Sequence, residues 1–126
     1  MKSNDFIAVC ALVIIVLIPI QPVSAKTGND IINACPAIFD TNNASVEQTI
    51  AAIDCAGYVS GLNDMAVLLQ GIFQQEAFCM PNSEGLETGQ LIRVFLKWLN
   101  DNPETLHESA RSLFISAMGN HFPCNQ

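Results

Sequence analysis

The residues with most to offer chemically are five cysteines and two histidines. Cys10 lies inside an apolar run near the N-terminus and stands apart from the rest. Cys35, Cys55, Cys79 and Cys124 show no C-x-x-C spacing and no clustering with histidine, which argues against zinc binding and thioredoxin-type exchange. Nucleophilic catalysis needs a histidine beside a serine or cysteine. His107 falls between Glu104 and Glu108, a pattern that reads as a helix surface, and His121 belongs to a short tail. Asp54 and Asp64 are ten residues apart in one helical stretch, about 15 Å by helical rise. That is too far for paired-carboxylate glycoside chemistry. Asp64 has apolar neighbours and reads as a buried structural acid facing Arg93 or Tyr58. No glycine loop is shaped to cradle phosphate. The sequence therefore offers no catalytic residue, no metal site and no cofactor site, and the expectation is a protein that is not an enzyme.

What the four cysteines suit is cross-linking. Met1–Ala25 reads as a secretory signal, with Lys2 in a positive n-region, Phe6–Ile20 as the apolar h-region and Val23-Ser24-Ala25 as the small-residue cleavage site. The apolar run is 15 residues, short of the roughly 20 that a spanning helix requires, and Pro19 ends it. Cleavage after Ala25 leaves residues 26–126 as one domain, with no membrane segment. An even number of cysteines in an exported chain of that size reads as two disulfides. Cleavage removes Lys2 and Asp5 together, so the formal charge stays at −7. This acidity argues against nucleic acid and anionic membranes, and it suits a basic protein partner.

The stretch that organises the mature chain runs from Ser45 to Phe73. Ser45 and Gln48 have the spacing of a capping box. Ile50, Ile53, Leu62, Met65, Leu68, Leu69, Ile72 and Phe73 then recur at helical spacings with few charges between them. The pattern predicts one long, mostly buried helix. Gly57 and Gly61 lie four apart on one face, with Tyr58 beside them. Each glycine costs roughly 1 kcal/mol against alanine in a helix interior, which suggests close approach of another helix or chain.

Shorter pieces surround that helix. Residues 30–39 predict a short helix interrupted or started by Pro36. Residues 40–44 predict a turn. A helix capped by Thr88 presents Leu91, Ile92, Phe95, Trp98 and Leu99 on one face. Asn102 and Pro103 open a last helix carrying Leu106, Ala110, Leu113, Phe114 and Met118. No strand pattern appears. The expected fold is all-α, a small disulfide-stapled bundle of four or five helices with antiparallel neighbours. Three disulfide connectivities are open. Antiparallel return of the last helix brings Cys124 back to Cys79, and packing of the first helix on the long one brings Cys35 to Cys55. Cys35–Cys55 with Cys79–Cys124 is the expected pairing. The one substantial loop, residues 79–89, is a candidate contact surface through Met80, Pro81, Asn82, Ser83, Glu84, Leu86 and Glu87. It reads as a disulfide-anchored segment that exposes Met80, Pro81 and Leu86 beside carboxylates, ready to enter a partner's cleft.

Several motifs occur in a telling order. They are Cys55-Ala56-Gly57-Tyr58-Val59-Ser60-Gly61 with Asp64, Phe78-Cys79-Met80-Pro81, Gln90-Leu91, and Phe95-Leu96-Lys97-Trp98-Leu99. Asn102-Pro103-Glu104 with His107 and Ala110, and His121-Phe122-Pro123-Cys124, follow. The series resembles the Rap1a/Tai family of immunity proteins over roughly residues 35–124. His121 stands where the family commonly has a small residue, and Trp98 where it commonly has tyrosine. The resemblance implies a periplasmic, all-helical, non-enzymatic protein, often a homodimer, that blocks the cleft of a cognate peptidoglycan amidase effector of the type VI secretion system. Two other classes fit the residues. One is a small periplasmic chaperone of the acid-stress kind, which would expose apolar surface when its carboxylates protonate. The other is a structural subunit that uses Gly57 and Gly61 in a permanent interface.

Overall fold

A computed structural model of the chain describes residues 24–74, 76–80 and 86–124. The proposed signal segment up to residue 23, and Pro81, Asn82, Ser83 and Glu84 of the candidate loop, lie outside the described residues. Four α-helices follow in order: α1 (Gly28–Ala34), α2 (Val46–Phe73), α3 (Thr88–Asp101) and α4 (Ala110–His121). A 3₁₀ helix, Cys35–Phe39, extends α1, and a second, Pro103–Thr105, follows α3. The described residues contain no strand, and the all-α expectation holds.

Three of the four α-helices start where polar residues can satisfy the free amides of a first turn, whereas α4 follows Ser109 with no side-chain cap. Thr27 caps α1, and the Asp30 carboxylate accepts from the Thr27 backbone N–H at 2.7 Å and from its hydroxyl at 2.8 Å. Ser45 and Gln48 form the expected capping box on α2: the Ser45 N–H donates to Gln48 Oε1 at 2.8 Å, and the Gln48 N–H donates to Ser45 Oγ at 3.2 Å. At α3 the cap is Glu87 rather than Thr88, and its N–H donates to Gln90 Oε1 at 3.1 Å. Pro36 marks the point where α1 tightens into the 3₁₀ helix, since proline offers no N–H to continue the α ladder.

The core forms where α1 and α3 meet the inner face of α2 and α4 packs across α3 and α1. Leu91, Ile92, Phe95 and Leu99 of α3 and Ala110, Leu113, Phe114, Ala117 and Met118 of α4 are buried. Phe114 lies edge-to-face with Phe95 at 5.5 Å and with Phe78 at 6.3 Å between ring centroids. Such pairs add about 0.5–1.5 kcal/mol beyond the area they bury. Two disulfides close the structure in the expected pairing, Cys35–Cys55 and Cys79–Cys124. The second is reinforced where the Cys79 N–H donates to the Phe122 carbonyl at 2.8 Å.

Two expectations fail in informative ways. The last helix does not run continuously from Asn102. Residues between the second 3₁₀ helix and α4 bond to the N-terminal segment instead of to one another. Asn29 N–H donates to the Leu106 carbonyl, Gly28 N–H to the Glu108 carbonyl, and Ala110 N–H to the Lys26 carbonyl, at 3.0, 3.2 and 2.7 Å. Those tertiary bonds replace the helical ones. His107 consequently sits exposed in a turn rather than on a helix.

The second failure concerns α2. Its buried residues are Ala52, Cys55, Val59 and Ala66, all small or medium in size. Ile50, Ile53, Met65, Leu68, Leu69, Ile72 and Phe73 are exposed. The helix is the expected length, but within this chain it is not mostly buried. Its small-residue face points inward because Cys55 must reach Cys35, and positions 52, 59 and 66 lie on the same side.

Two outcomes follow from the N-terminal lock. A Cβ at Gly28 would meet Leu113 Cδ1 at 2.8 Å and the Leu106 Cα at 3.0 Å, so Gly28→Ala should destabilise the fold by about 1–3 kcal/mol in chemical denaturation. The Thr27 donors hold the Asp30 carboxyl below its ordinary range. Its contribution is therefore complete above the unfolded value of 3.8 and is lost as pH falls through the lower folded value. Asp30→Asn should weaken the fold by about 0.5–2 kcal/mol near neutral pH, with the difference from wild type shrinking in strong acid.

Candidate functional site

The side chains that could have done chemistry are dispersed or occupied. Cys35, Cys55, Cys79 and Cys124 are all in disulfides. Glu76 lies against one of them, its carboxylate 2.8 Å from Cys79 Sγ. Glu76, Cys79 and Cys124 offer ligand atoms within 4.8 Å of one another, but sulfurs joined in a disulfide are not the thiolates that bind metal. His121 ends α4 with its ring edge-on to Phe122 at 4.7 Å. Asp64 is exposed rather than buried. It meets neither of its expected partners: Arg93 stacks over the Phe39 ring at 3.9 Å, and Tyr58 is approached by Lys26 Nζ, 5.8 Å from its ring centroid.

Asp54 instead takes Lys26, with Nζ 2.6 Å from Oδ2. That hydrogen bond raises the Lys26 pKa above its usual value. Tyr58 packs against the core, and burial pushes its hydroxyl pKa up, although Arg111 and Lys26 pull the other way. Lys26, Tyr58, Leu62 and Arg111, with Ser24 and Ala25, line an open recess of about 580 Å³.

Of the candidate loop, Met80, Leu86 and Glu87 are among the described residues. Met80 and Leu86 were expected to be exposed, yet both are half-buried and pack on the core. They anchor the loop instead of presenting it. Glu87 stays exposed while its backbone starts α3. The flanks are thus held by apolar anchors at Met80 and Leu86 and by the Cys79–Cys124 staple.

The dominant surface feature is one that sequence reasoning assigned to the core. Among the described residues, all but two of the large exposed apolar side chains, Phe39 and Ile115, belong to α2. Val46, Ile50, Ile53, Met65, Leu68 and Ile72 follow one another along one side of the helix, and each is 53–77% exposed. Gly57 and Gly61 continue the same stripe, and a Cβ on either would meet nothing within 4 Å. The glycines therefore serve no close contact among the described residues. Beside the stripe, between α2 and the first 3₁₀ helix, lies an apolar recess of about 210 Å³ lined by Ala37, Ile38, Thr41, Thr49, Ala52, Ile53 and Ala56. Periodicity found the stripe, but it cannot distinguish burial inside a chain from burial between chains.

No helix among the described residues is long and apolar enough to cross a membrane. An exposed apolar stripe of this extent, interrupted by Asp54 and Asp64, marks a candidate interaction surface.

The Lys26–Asp54 pair, by contrast, is solvent-exposed, at 36% and 58% for the two side chains. Asp54→Ala should change stability by less than about 1 kcal/mol in thermal or chemical unfolding. A larger loss would give this ion pair a structural role beyond its geometry.

Comparison with known proteins gives one positive finding. The family model described as Rap1a immunity proteins matches residues 27–124. Comparison with curated proteins finds no match.

Proposed function

The chain belongs to the Rap1a immunity protein family, and on that premise we propose that it neutralises a peptidoglycan amidase effector of the type VI secretion system by covering its catalytic cleft. It does so in the periplasm, as a homodimer, and without catalysing a reaction. The family match over nearly the whole mature chain carries this reading. Three further features support it. The disulfide-stapled helical body suits an oxidising compartment, in keeping with the signal-like first 25 residues. Its formal charge of −7 suits a basic partner and steered association. The loop around residues 80–88 is held at Cys79, Met80 and Leu86, which lowers the ordering cost of inserting it into a cleft.

The exposed apolar face of α2 also favours a second reading, a small holdase chaperone. The two separate cleanly. A chaperone suppresses aggregation of unrelated denatured clients at acid pH. An immunity protein leaves them unprotected and binds one amidase stoichiometrically.

The test uses the chain beginning at Lys26 and the amidase encoded beside its gene. The expected result is nanomolar binding that abolishes peptidoglycan hydrolysis, with an association rate that falls as salt rises. Glu84→Lys with Glu87→Lys should weaken binding at least about tenfold, mainly through slower association. Undiminished binding would exclude the loop as the contact. Absence of binding to any peptidoglycan amidase would overturn the reading.

A further inference from the structure

Three parts of the chain converge on the open recess of about 580 Å³ lined by Ser24, Ala25, Lys26, Tyr58, Leu62 and Arg111. The backbone lock at the N-terminal segment builds it. The Ala110 N–H donates to the Lys26 carbonyl at 2.7 Å, which brings the next residue, Arg111 in the first turn of α4, to the same recess as Lys26. On α2, Asp54, Tyr58 and Leu62 follow one another at intervals of four and share one flank of the helix. Asp54 holds the Lys26 ammonium at 2.6 Å, and the same ammonium stands 5.8 Å from the centroid of the Tyr58 ring. Lys26 and Arg111 both act as positive charges on the Tyr58 hydroxyl. Among the described residues, no carboxylate lines the recess.

We propose that this recess binds the free carboxyl end of a peptide chain whose last residue is apolar. The distribution of cations selects the anion. Lys26 is paired with Asp54 and Lys97 with Asp101, and Arg93 stacks on Phe39. Arg111 is exposed and has neither kind of partner among the described residues. Its guanidinium fork is open to a carboxylate, which it can hold by two parallel hydrogen bonds. Burial pushes the Tyr58 hydroxyl pKa above its ordinary value, so the phenol stays protonated at neutral pH and offers an O–H to the same anion. The Lys26 ammonium adds positive charge, weakened by Asp54. A chain of formal charge −7 repels anions in general, so a site that holds one requires local donors of this kind.

Size and lining narrow the ligand further. The volume is that of a small-ligand site and takes one or two residues. Leu62 and the Tyr58 ring supply apolar surface for the last side chain. A phosphate dianion calls for more donors than one open guanidinium and a phenol, and a ligand without charge leaves the Arg111 fork unused. Cleavage after Ala25, expected from the sequence, would set the α-ammonium of Lys26 at the rim in place of Ser24 and Ala25, a further donor to the same carboxylate. Neither an effector nor a second copy of the chain enters this proposal, so it stands or falls apart from the immunity function.

The experiment titrates the isotopically labelled protein, expressed from its full sequence, with N-acetyl-Ala-Leu and separately with the C-terminal amide of the same dipeptide. The NMR signals followed are those of the Tyr58 ring and the Arg111 Nε–H. The free acid should shift both to saturation with a dissociation constant of about 0.1–1 mM, and the amide should bind at least about tenfold more weakly. A longer peptide with the same last two residues should bind as well as the short one, because the recess is open; its failure to bind would overturn the chain-end assignment. Displacement of the dipeptide by an equal concentration of inorganic phosphate would overturn it too. Arg111→Gln should raise the dissociation constant at least about tenfold, and Tyr58→Phe, which keeps the ring, about threefold to tenfold. Arg111→Gln should melt as wild type does, because that side chain is exposed. Equal binding of acid and amide, the lack of a saturable shift, or undiminished binding by Arg111→Gln would each overturn the proposal.

Discussion

The Cys35–Cys55 disulfide sets the rotation of α2, and the remainder of the structure follows from that setting. Cys55 is fully buried beneath the first 3₁₀ helix, and a helix has no freedom to turn about its axis once one inward position is covalently fixed. Ala52, Val59 and Ala66 follow Cys55 inward at helical spacing. Small side chains there let α1, the first 3₁₀ helix and α3 approach closely, and α4 completes a core of aromatic and aliphatic groups around Phe114. The larger aliphatics of α2 are turned outward by the same geometry. The described part of this 126-residue chain thus keeps a small interior of its own and places much of its apolar material on one outer face. Small domains bury a smaller share of their surface than large ones, and here the shortfall is concentrated on one helix.

The N-terminal segment is organised by a different device. Residues 26–29 are laid against residues 106–110 through backbone hydrogen bonds, with Gly28 in a gap that admits no Cβ. The Cys79–Cys124 disulfide then ties the end of α4 to the segment preceding the candidate loop. The two staples do different work. One fixes how α2 is presented, and the other fixes where the loop begins. In the proposed occlusion of an effector, both settings precede binding, so less ordering remains to be done when the complex forms.

Much of this was legible from residue types and spacing. Ser45 and Gln48 located the start of the long helix, the even cysteine count in an exported chain implied two bridges, and antiparallel packing of short helices ranked their pairing. The ordered motifs from Cys55 to Cys124 carried the family. Other features depended on partners distant in sequence. Nothing local to Leu106 and Glu108 says that their carbonyls will accept from Asn29 and Gly28 rather than from the next helical turn. Nothing local to Gly28 marks it as required, because the crowding that demands it comes from Leu106 and Leu113. Asp64 looked buried because its sequence neighbours are apolar, but those neighbours face outward as it does. Met80 and Leu86 looked exposed because loop composition does not reveal that the loop's apolar residues are its anchors.

The claim on which the account turns is that the outward face of α2 is an interface between molecules rather than a wetted surface. Carbene footprinting of the mature protein across a range of concentrations tests it directly, since the label reports side-chain accessibility residue by residue. Labelling of Ile50, Ile53, Met65 and Leu68 should fall together as concentration rises, while Ile115 on α4, exposed in the single chain, keeps its labelling. Uniform labelling of the α2 residues at every concentration, with or without the effector present, would contradict the account.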